Sequence, residues 1–242
     1  MATLLSRRNL LRTAIGAGGL VVAGGAGYVA WGGLTYSQGW RMGRLTKFSA
    51  RSSWRRLYLA STGEGELSLG NESSDAVWTG ADGQQVTNPW MFSATRDFYE
   101  THRELLGRPV GIRYRQIMHR VTAFGGDTDY RAEEIVPLTG EAVGLCAVEG
   151  RGLRSAGERV GRIVKVAEKG SVAKSWEMTL QEGTAGNRFT EMSLLSDEMA
   201  RCATAYLRAG RLAVLGYRET VVRNPLNRDT NYDVLNLRPA EG

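Results

Sequence analysis

The sequence has few residues of the kinds that form catalytic or metal sites. It contains two cysteines, Cys146 and Cys202, and two histidines, His102 and His119. Two cysteines hold zinc only with help from histidine, and both histidines lie in the first half of the chain. No Gly-x-Ser-x-Gly turn, His-x-x-x-His pair or cysteine cluster is present. The sequence therefore predicts no catalytic residue, no metal site and no cofactor, and a protein that is not an enzyme.

The two cysteines leave one question open. An isolated cysteine is most often a small buried hydrophobic residue, whereas a disulfide persists only in an oxidising compartment. Cys146 and Cys202 lie at non-equivalent places in the chain, so a bond between them is allowed but is not predicted.

Acidic residues are absent before Glu64, whereas Arg7, Arg8 and Arg12 supply half of the formal net charge of +6. The 31 lysines and arginines less these three leave 28 basic residues against 25 acidic ones. Such a balanced body lacks the electrostatic footprint of a nucleic-acid-binding protein. Nucleic acid is therefore not an expected partner.

The N-terminus resembles a twin-arginine export signal. Arg7 and Arg8 precede an uncharged, glycine-rich stretch, Thr13–Thr35, which is long enough to span the hydrocarbon layer of a membrane. We favour an uncleaved anchor over residues 1–35, because the best cleavage site, Gly24-Gly25-Ala26, is poor. The alternative is a cleaved signal. The predicted location is the bacterial inner membrane, single pass with the body in the periplasm, or the periplasm if the signal is removed.

The remaining chain contains one pattern twice, in the same order. The matched segments are Gly39-x-Arg41-x-Gly43-Arg44-x-x-Lys47 with Gly157-x-Arg159-x-Gly161-Arg162-x-x-Lys165, Glu64 and Leu67 with Glu177 and Leu180, Gly107-Arg108 to Tyr114-Arg115 with Gly210-Arg211 to Tyr217-Arg218, and Asp127-Thr128-x-Tyr130 with Asp229-Thr230-x-Tyr232. An ordered series of this length indicates a duplicated small domain rather than a solenoid unit. We predict a first repeat over residues 36–138, a connector over 139–154 and a second repeat over 155–242.

Each repeat shows the element order of an OB-type barrel, which is three strands, a helix and two more strands. The predicted elements of the first repeat are strands Arg44–Ser49, Arg56–Ala60 and Glu64–Leu69, a loop containing Asn88-Pro89-Trp90, a helix Asp97–Leu106, an alternating strand from Val110, and a last strand Tyr130–Leu138. In the second repeat Ser196 is the predicted N-cap and Gly210 the end of the helix. The predicted fold is mainly β with one helix per repeat: two tandem OB-like five-stranded barrels after an N-terminal signal or transmembrane helix. An open sheet with a helix on one face is the alternative.

Three further segments carry a resemblance to a known family. They are Tyr36-Ser37-x-Gly39-x-Arg41-x-Gly43-x-Leu45-x-Lys47-Phe48-Ser49, Glu64-Gly65-Glu66-Leu67 and Trp90-x-Phe92-Ser93. This signature resembles a bacterial family of small membrane-anchored proteins without an established function, some of which carry the label phosphogluconate dehydrogenase. Nothing in these residues supports that label. The resemblance implies a membrane-anchored protein, and since most members have one such unit, this chain resembles a diverged, fused pair.

The repeated basic residues are the candidate binding surface. They are Arg41, Arg44, Lys47, Arg159, Arg162 and Lys165. Such a set suits phosphate, a lipid headgroup or an acidic protein face. The alternative is a structural role, in internal salt bridges with Glu64 and Glu177 or with Asp97 and Asp197.

The leading functional hypothesis is a non-enzymatic envelope protein. It would be a membrane-anchored periplasmic binding or scaffolding module, with the inner membrane and other envelope proteins as partners. The second hypothesis is an oligonucleotide- or glycan-binding OB-type protein. The third is a hydrolase that uses Glu64 and Glu66, which lie on one face of a predicted strand.

Overall fold

The computed structural model describes residues 35–52, 61–69, 89–118, 126–149, 155–170, 174–182, 188–220 and 230–240. The predicted export signal or anchor lies outside this part of the chain except for Thr35, and so does the predicted strand Arg56–Ala60. Among the described residues, neither helix has the length and apolar character needed to cross a membrane.

The first half of the described chain forms a closed five-stranded barrel. Its elements are strands β1 (Thr35–Ser52), β2 (Ser61–Leu69), β3 (Pro89–Thr95), β4 (Pro109–Ile117) and β5 (Tyr130–Pro137), with helix α1 (Arg96–His102) and a 3₁₀ turn (Arg103–Leu105) between β3 and β4. The strands are paired in the order β1-β2-β3-β5-β4, and β4 returns to β1. All these pairings are antiparallel except β3–β5. This is the strand order of an OB-like barrel.

The second half follows the same circuit. Its elements are β6 (Cys146–Ala147), β7 (Ser155–Lys169), β8 (Ser175–Glu182), β9 (Phe189–Leu194), helix α2 (Asp197–Ala209), β10 (Leu212–Glu219) and β11 (Tyr232–Pro239). The order β7-β8-β9-β11-β10 closes through the β10–β7 pairing, and β9–β11 is its parallel pair. The first strand of each circuit has its register shift at the same place, Leu45/Lys47 and Ile163/Lys165. The prediction of a mainly β, OB-like fold is confirmed.

The predicted loop at Pro89-Trp90 is wrong, because these residues begin β3. Trp90 and Phe92 are buried, whereas Pro89 and Met91 are exposed, so the side chains alternate as in a half-buried strand. Proline is tolerated as the first residue of a strand. Strand β1 is also longer than predicted, since its first part pairs with β4 and its later part with β2.

The two helices differ in how much of their surface is buried. Helix α2 begins with Ser196, whose hydroxyl accepts from the Met199 amide at 3.1 Å, and it ends at Gly210 with φ 68°. Seven of its side chains are buried. Helix α1 buries none and stops at His102, short of the predicted end at Leu106. The predicted caps of α2 are confirmed, because capping and an apolar stripe act together there.

The barrels are joined by direct strand pairing. Ser37–Arg41 of β1 pair antiparallel with Lys165–Lys169 of β7, so both circuits belong to one hydrogen-bonded sheet. The two hydrophobic cores meet at this junction. Met42 of β1 packs in the core of the second barrel, and Ala167 of β7 packs in the core of the first.

The segment between the barrels lies across α2 and β11. The Thr139 and Gly140 amides donate to the last carbonyls of α2, at 3.0 and 3.1 Å, and β6 pairs with β11. A disulfide links Cys146 to Cys202 of α2, with the Cα atoms 6.5 Å apart. The disulfide was not predicted, because only the fold brings the connector against this face of the helix.

Candidate functional site

A cleft of about 660 Å³ lies between the two barrels. Its walls are the start of β1, strands β4 and β5 of the first barrel, and β7, β8 and α2 of the second. The lining residues are Gln38, Gly39, Trp40, Arg113, Tyr114, Glu133, Val166, Glu168, Trp176, Asp197, Ala200, Arg201, Thr204, Ala205 and Arg208. Both barrels therefore contribute to one concave surface.

Two half-buried tryptophans are held in place in this cleft. The guanidinium carbon of Arg208 lies 5.1 Å from the ring centre of Trp40, which joins α2 to β1 by a cation–π contact. The indole N–H of Trp176 donates to Asp197 at 2.8 Å. Each ring is thus oriented by a charged residue of α2.

The charges of the cleft are balanced. Its lining includes three arginines, Arg113, Arg201 and Arg208, and three acids, Glu133, Glu168 and Asp197. Arg113 lies 3.9 Å from Glu133 and 3.3 Å from Glu134, and Glu168 lies 2.9 Å from Lys174. A polyanion has no continuous positive track here.

Glu64 and Glu177 occupy matching structural networks. In the first barrel Ser93 donates to Glu64 at 2.6 Å, and the Ser93 and Thr128 hydroxyls lie 3.1 Å apart. In the second barrel Ser193 lies within 3.1 Å of both oxygens of the buried Glu177. The Ser193 and Thr230 hydroxyls are likewise 3.1 Å apart. Each network joins the second and third strands of a barrel to the residues just before the fifth strand, whose parallel pairing with the third strand is short.

Arg44 and Arg162 also have matching partners. Arg44 donates to the carbonyl of Gly107 at 2.6 Å, and Arg162 donates to the carbonyl of Gly210. Both glycines have a positive φ at the turn into the fourth strand. In each barrel, a guanidinium of the first strand therefore holds the turn that leads into the fourth strand.

Lys47 and Lys165 lie in different surroundings. Lys47 is exposed on the first barrel, whereas Lys165 is mostly buried beside the junction and lies 3.3 Å from Glu191. Burial lowers the pKa of Lys165; the charge of Glu191 opposes this effect, and the charges of Lys169 and Arg41 add to it. The repeated lysines therefore do not form one surface.

Arg41 and Arg159 each lie against aromatic rings, but within the described ranges only Arg159 has an acidic partner. The Arg41 guanidinium carbon lies 4.9 Å from the ring centre of Trp90 and 5.3 Å from those of Tyr114 and Tyr130. In the second barrel Arg159 lies 5.2 Å from the ring centre of Tyr217 and donates to Glu182 at 2.5 Å.

Glu182 is ionised in this arrangement over a wider pH range than a free carboxyl group. Burial by itself raises the pKa of Glu182, but hydrogen bonds from Thr190 and Arg159 and the charge of Arg188 outweigh it. The pKa of Glu182 is therefore lowered from the ordinary value.

The six repeated basic residues are thus divided among turns, aromatic stacks and the junction, and the structure brings only Arg41 and Lys165 together. No group of three histidine, cysteine or acidic side chains suited to a metal occurs in the described ranges. Trp40, Trp176 and Arg208 were not predicted from the sequence. The predicted binding residues were those that occur in both repeats, and these three occur in only one repeat each. The available signal was Trp40, an aromatic residue between Gly39 and Arg41 where the second copy has Glu158.

No family model matches the chain, and no curated protein does. Among solved structures, it is similar to a deletion mutant of the single-stranded DNA binding protein from Thermus aquaticus, with 19% identity over 86% of this chain and 97% of that one and a TM-score of 0.27. It is also similar to the tetrameric p202 HIN2, with 10% identity over 84% and 95% of the two chains and a TM-score of 0.25. A third structure, a Replication Protein A heterotrimer bound to ssDNA, has 12% identity over 85% and 49% and a TM-score of 0.22. Similarity this low carries no information about what the present chain binds.

Proposed function

We propose that this protein is a non-enzymatic binding module of the bacterial cell envelope, which holds a protein partner in the cleft between two OB-like barrels. The observation that carries this proposal is the cleft itself, with Trp40 and Trp176 on its walls and three arginines around them. Tryptophan and arginine are enriched among the residues that dominate protein–protein binding energy.

The charge of the cleft favours a protein over a nucleic acid. Its three arginines face three acids, so a folded or extended polypeptide of mixed charge fits better than a phosphate backbone. The hydrolase hypothesis receives no support from Glu64, because its carboxylate is held by Thr62, Ser93 and the Asp127 amide. A Glu64→Gln variant that lost a hydrolytic activity while it kept its fold would revive that hypothesis.

The envelope location rests on two observations of different kinds. Arg7 and Arg8 precede an uncharged stretch of export-signal character. The Cys146–Cys202 disulfide is typical of an oxidising compartment such as the periplasm. The matching strand circuits support the further proposal that the two barrels are diverged copies of one ancestral unit.

Export is tested by following the two cysteines in cells. With the maleimide reagent added in denaturant, so that the buried Cys202 is accessible, we expect both thiols of the native chain to resist alkylation unless a reductant is added first. An Arg7→Lys, Arg8→Lys double variant should stay in the reducing cytoplasm and react fully. Reactive thiols in the native chain, or unreactive thiols in the double variant, would contradict the proposed location.

The cleft is tested by site-specific photocrosslinking in intact cells. A photoreactive residue at Ala205, which lines the cleft, should give a discrete protein adduct, and the same residue at the exposed Met91 should not. Trp40→Ala in the same chain should reduce the Ala205 adduct at least tenfold, which corresponds to a loss of about 1.4 kcal/mol of binding energy. An adduct that nuclease removes, or equal adducts at both positions, would reject a protein partner in the cleft.

A further inference from the structure

The environments of Arg41 and Arg159 differ at two positions that the strand registers place in equivalent surroundings. Leu69 is the partner of Gly43 in the β1–β2 ladder, and Glu182 is the partner of Gly161 in the β7–β8 ladder. In the next ladder Trp90 pairs with Leu67, and Thr190 pairs with Leu180. The second barrel therefore has an acid and a threonine where the first has a leucine and a tryptophan.

These exchanges remove the acidic partner of the guanidinium from the first barrel. In the second barrel Glu182 accepts from Arg159 at 2.5 Å and from Thr190 at 2.6 Å. Among the described residues, Arg41 has no acid or other hydrogen-bond acceptor in contact with its guanidinium. Its contacts are instead with the rings of Trp90, Tyr114 and Tyr130, and we call these four residues the Arg41 site.

The Arg41 site also contains donors without acceptors. The Nε of Arg41 and the Nε1 of Trp90 are buried and have no hydrogen-bond partner in the described part of the chain, and Trp90 as a whole is 5% exposed. The Nε of Arg159 is unpaired as well, so the indole N–H is the donor that distinguishes the first barrel. A buried donor without a partner has lost its hydrogen bond to water, and an incoming acceptor would restore one.

The charge around Arg41 is positive. Lys165 is the strand partner of Arg41 across the junction, and Lys169 follows on the same strand. The nearby acid Glu191 lies 3.3 Å from Lys165 and 3.8 Å from Lys169, and it accepts from Thr179 at 2.8 Å. Glu191 is therefore engaged by the lysines. The aromatic rings keep the guanidinium in place and partly dehydrated, which strengthens its attraction to an anion.

We propose that the Arg41 site binds a carboxylate, which takes the place that Glu182 occupies in the second barrel. The half-buried guanidinium presents paired N–H donors to it, and such charge-assisted pairs are among the strongest hydrogen bonds in proteins. The second barrel supplies this carboxylate from its own sequence, whereas the first takes it from outside. The carboxylate belongs either to a small organic acid or to an acidic side chain of a polypeptide.

The site does not depend on the partner proposed for the cleft. Arg41 and Trp40 are neighbours on β1, and successive strand residues point to opposite faces of the sheet. Trp40 lines the cleft, whereas Arg41, Trp90 and Tyr130 do not; Tyr114 is the one residue of the Arg41 site that also lines the cleft, and no test variant changes it. A failure of carboxylate binding would leave the cleft proposal intact, and the reverse also holds.

The test is a titration of the isotopically labelled full-length chain, followed through the arginine Nε–H and tryptophan indole N–H signals. Sodium acetate is one probe and a short glutamate-containing peptide with both ends blocked is the other, with sodium chloride at equal ionic strength as reference. We expect saturable shifts of the Arg41 and Trp90 signals, in the millimolar range for acetate, as suits a single charged pair. Tighter binding of the peptide would identify a polypeptide source, and equal binding a small acid.

Variants convert each barrel toward the pattern of the other. The Leu69→Glu, Trp90→Thr double variant should supply an internal acid and abolish the Arg41 response. Glu182→Leu should create a new response at Arg159, which in the native chain stays constant. Arg41→Lys keeps the charge but loses the paired donors, and it should weaken binding about tenfold.

Two results would overturn the proposal. One is the absence of saturable shifts at Arg41 and Trp90 in the native chain, which requires no variant to fold. The other is an equal response at Arg159, or an equal response to chloride, because either would reduce the effect to general screening of positive charge.

Discussion

Gly39 of the first barrel lies directly against Ala167 of the second, and their backbones are too close to admit a side chain at the glycine. A Cβ at Gly39 would collide with the carbonyl oxygen of Val166 and with Ala167 itself. The two barrels can therefore pair through β1 and β7 only because residue 39 has no side chain.

The first prediction concerns this junction. Gly39→Ala should destabilise the protein by about 2–4 kcal/mol, because the backbone atoms that it meets have no room to move. Chemical unfolding monitored by tryptophan fluorescence would measure the change. Gly157→Ala is the matched control, since its nearest contact would be the side-chain hydroxyl of Tyr217 at 3.1 Å rather than the backbone of the neighbouring strand. Equal losses in the two variants would contradict the role of the junction.

The second prediction concerns the Cys146–Cys202 disulfide. It spans 56 residues, and a loop of this size contributes about 4 kcal/mol in the chain-entropy estimate. A Cys146→Ala, Cys202→Ala double variant should therefore melt at a lower temperature than the native chain. A reductant should lower the melting temperature of the native chain alone. An unchanged melting temperature after complete reduction would refute this contribution.

The third prediction concerns the serine of each hydrogen-bonded network. Ser193→Ala leaves the buried Glu177 without its Ser193 donor and should cost about 1–3 kcal/mol. Ser93→Ala should act in the same direction through Glu64. Urea unfolding would give both values, with the exposed Ser52→Ala as the control. If Ser193→Ala were as mild as the control, the network would not stabilise the barrel.

The fourth prediction concerns how the free energy of unfolding changes as the pH is lowered. The pKa of Glu182 is lowered in the folded state, so the ionised carboxylate stabilises the protein at pH values above 4.5, the ordinary pKa of glutamate. This contribution is lost as the pH falls through the lowered pKa. Glu182→Gln should therefore be less stable than the native chain at pH 7, and the two should converge in acid. Unfolding curves measured from neutral to acidic pH would check this, with the exposed Glu141→Gln as reference. A constant difference at all pH values would argue against the ion pair.

The sequence predicted those features that depend on local patterns. Alternation in β4 and the caps of α2 are examples, since Ser196 and Gly210 act on their immediate neighbours. It failed at Pro89-Trp90, where a turn-forming residue begins a strand whose hydrophobic side chains pack in the barrel. Trp90 is buried by contacts with distant strands, and the turn preference of the neighbouring proline does not indicate those contacts.

The candidate sites depended on contacts between distant segments, so less of them could be predicted. Arg41 was found by its repetition, but the loss of its acidic partner becomes visible only when Leu69 and Glu182 are compared in register. The turn carbonyls that accept from Arg44 and Arg162 were not predicted, because they approach these arginines only in the fold. The cleft depends on the junction, and no single repeat contains it.

The pairing of β1 with β7 brings unlike stretches together. Ser37–Arg41 belong to the beginning of one long strand, and Lys165–Lys169 belong to the end of the other. A contact between different surfaces has no two-fold axis, so separate single-barrel chains meeting in this way would add unit after unit or close only as a ring. Placing both barrels on one polypeptide makes one such contact intramolecular, so that it forms at any protein concentration and without symmetry.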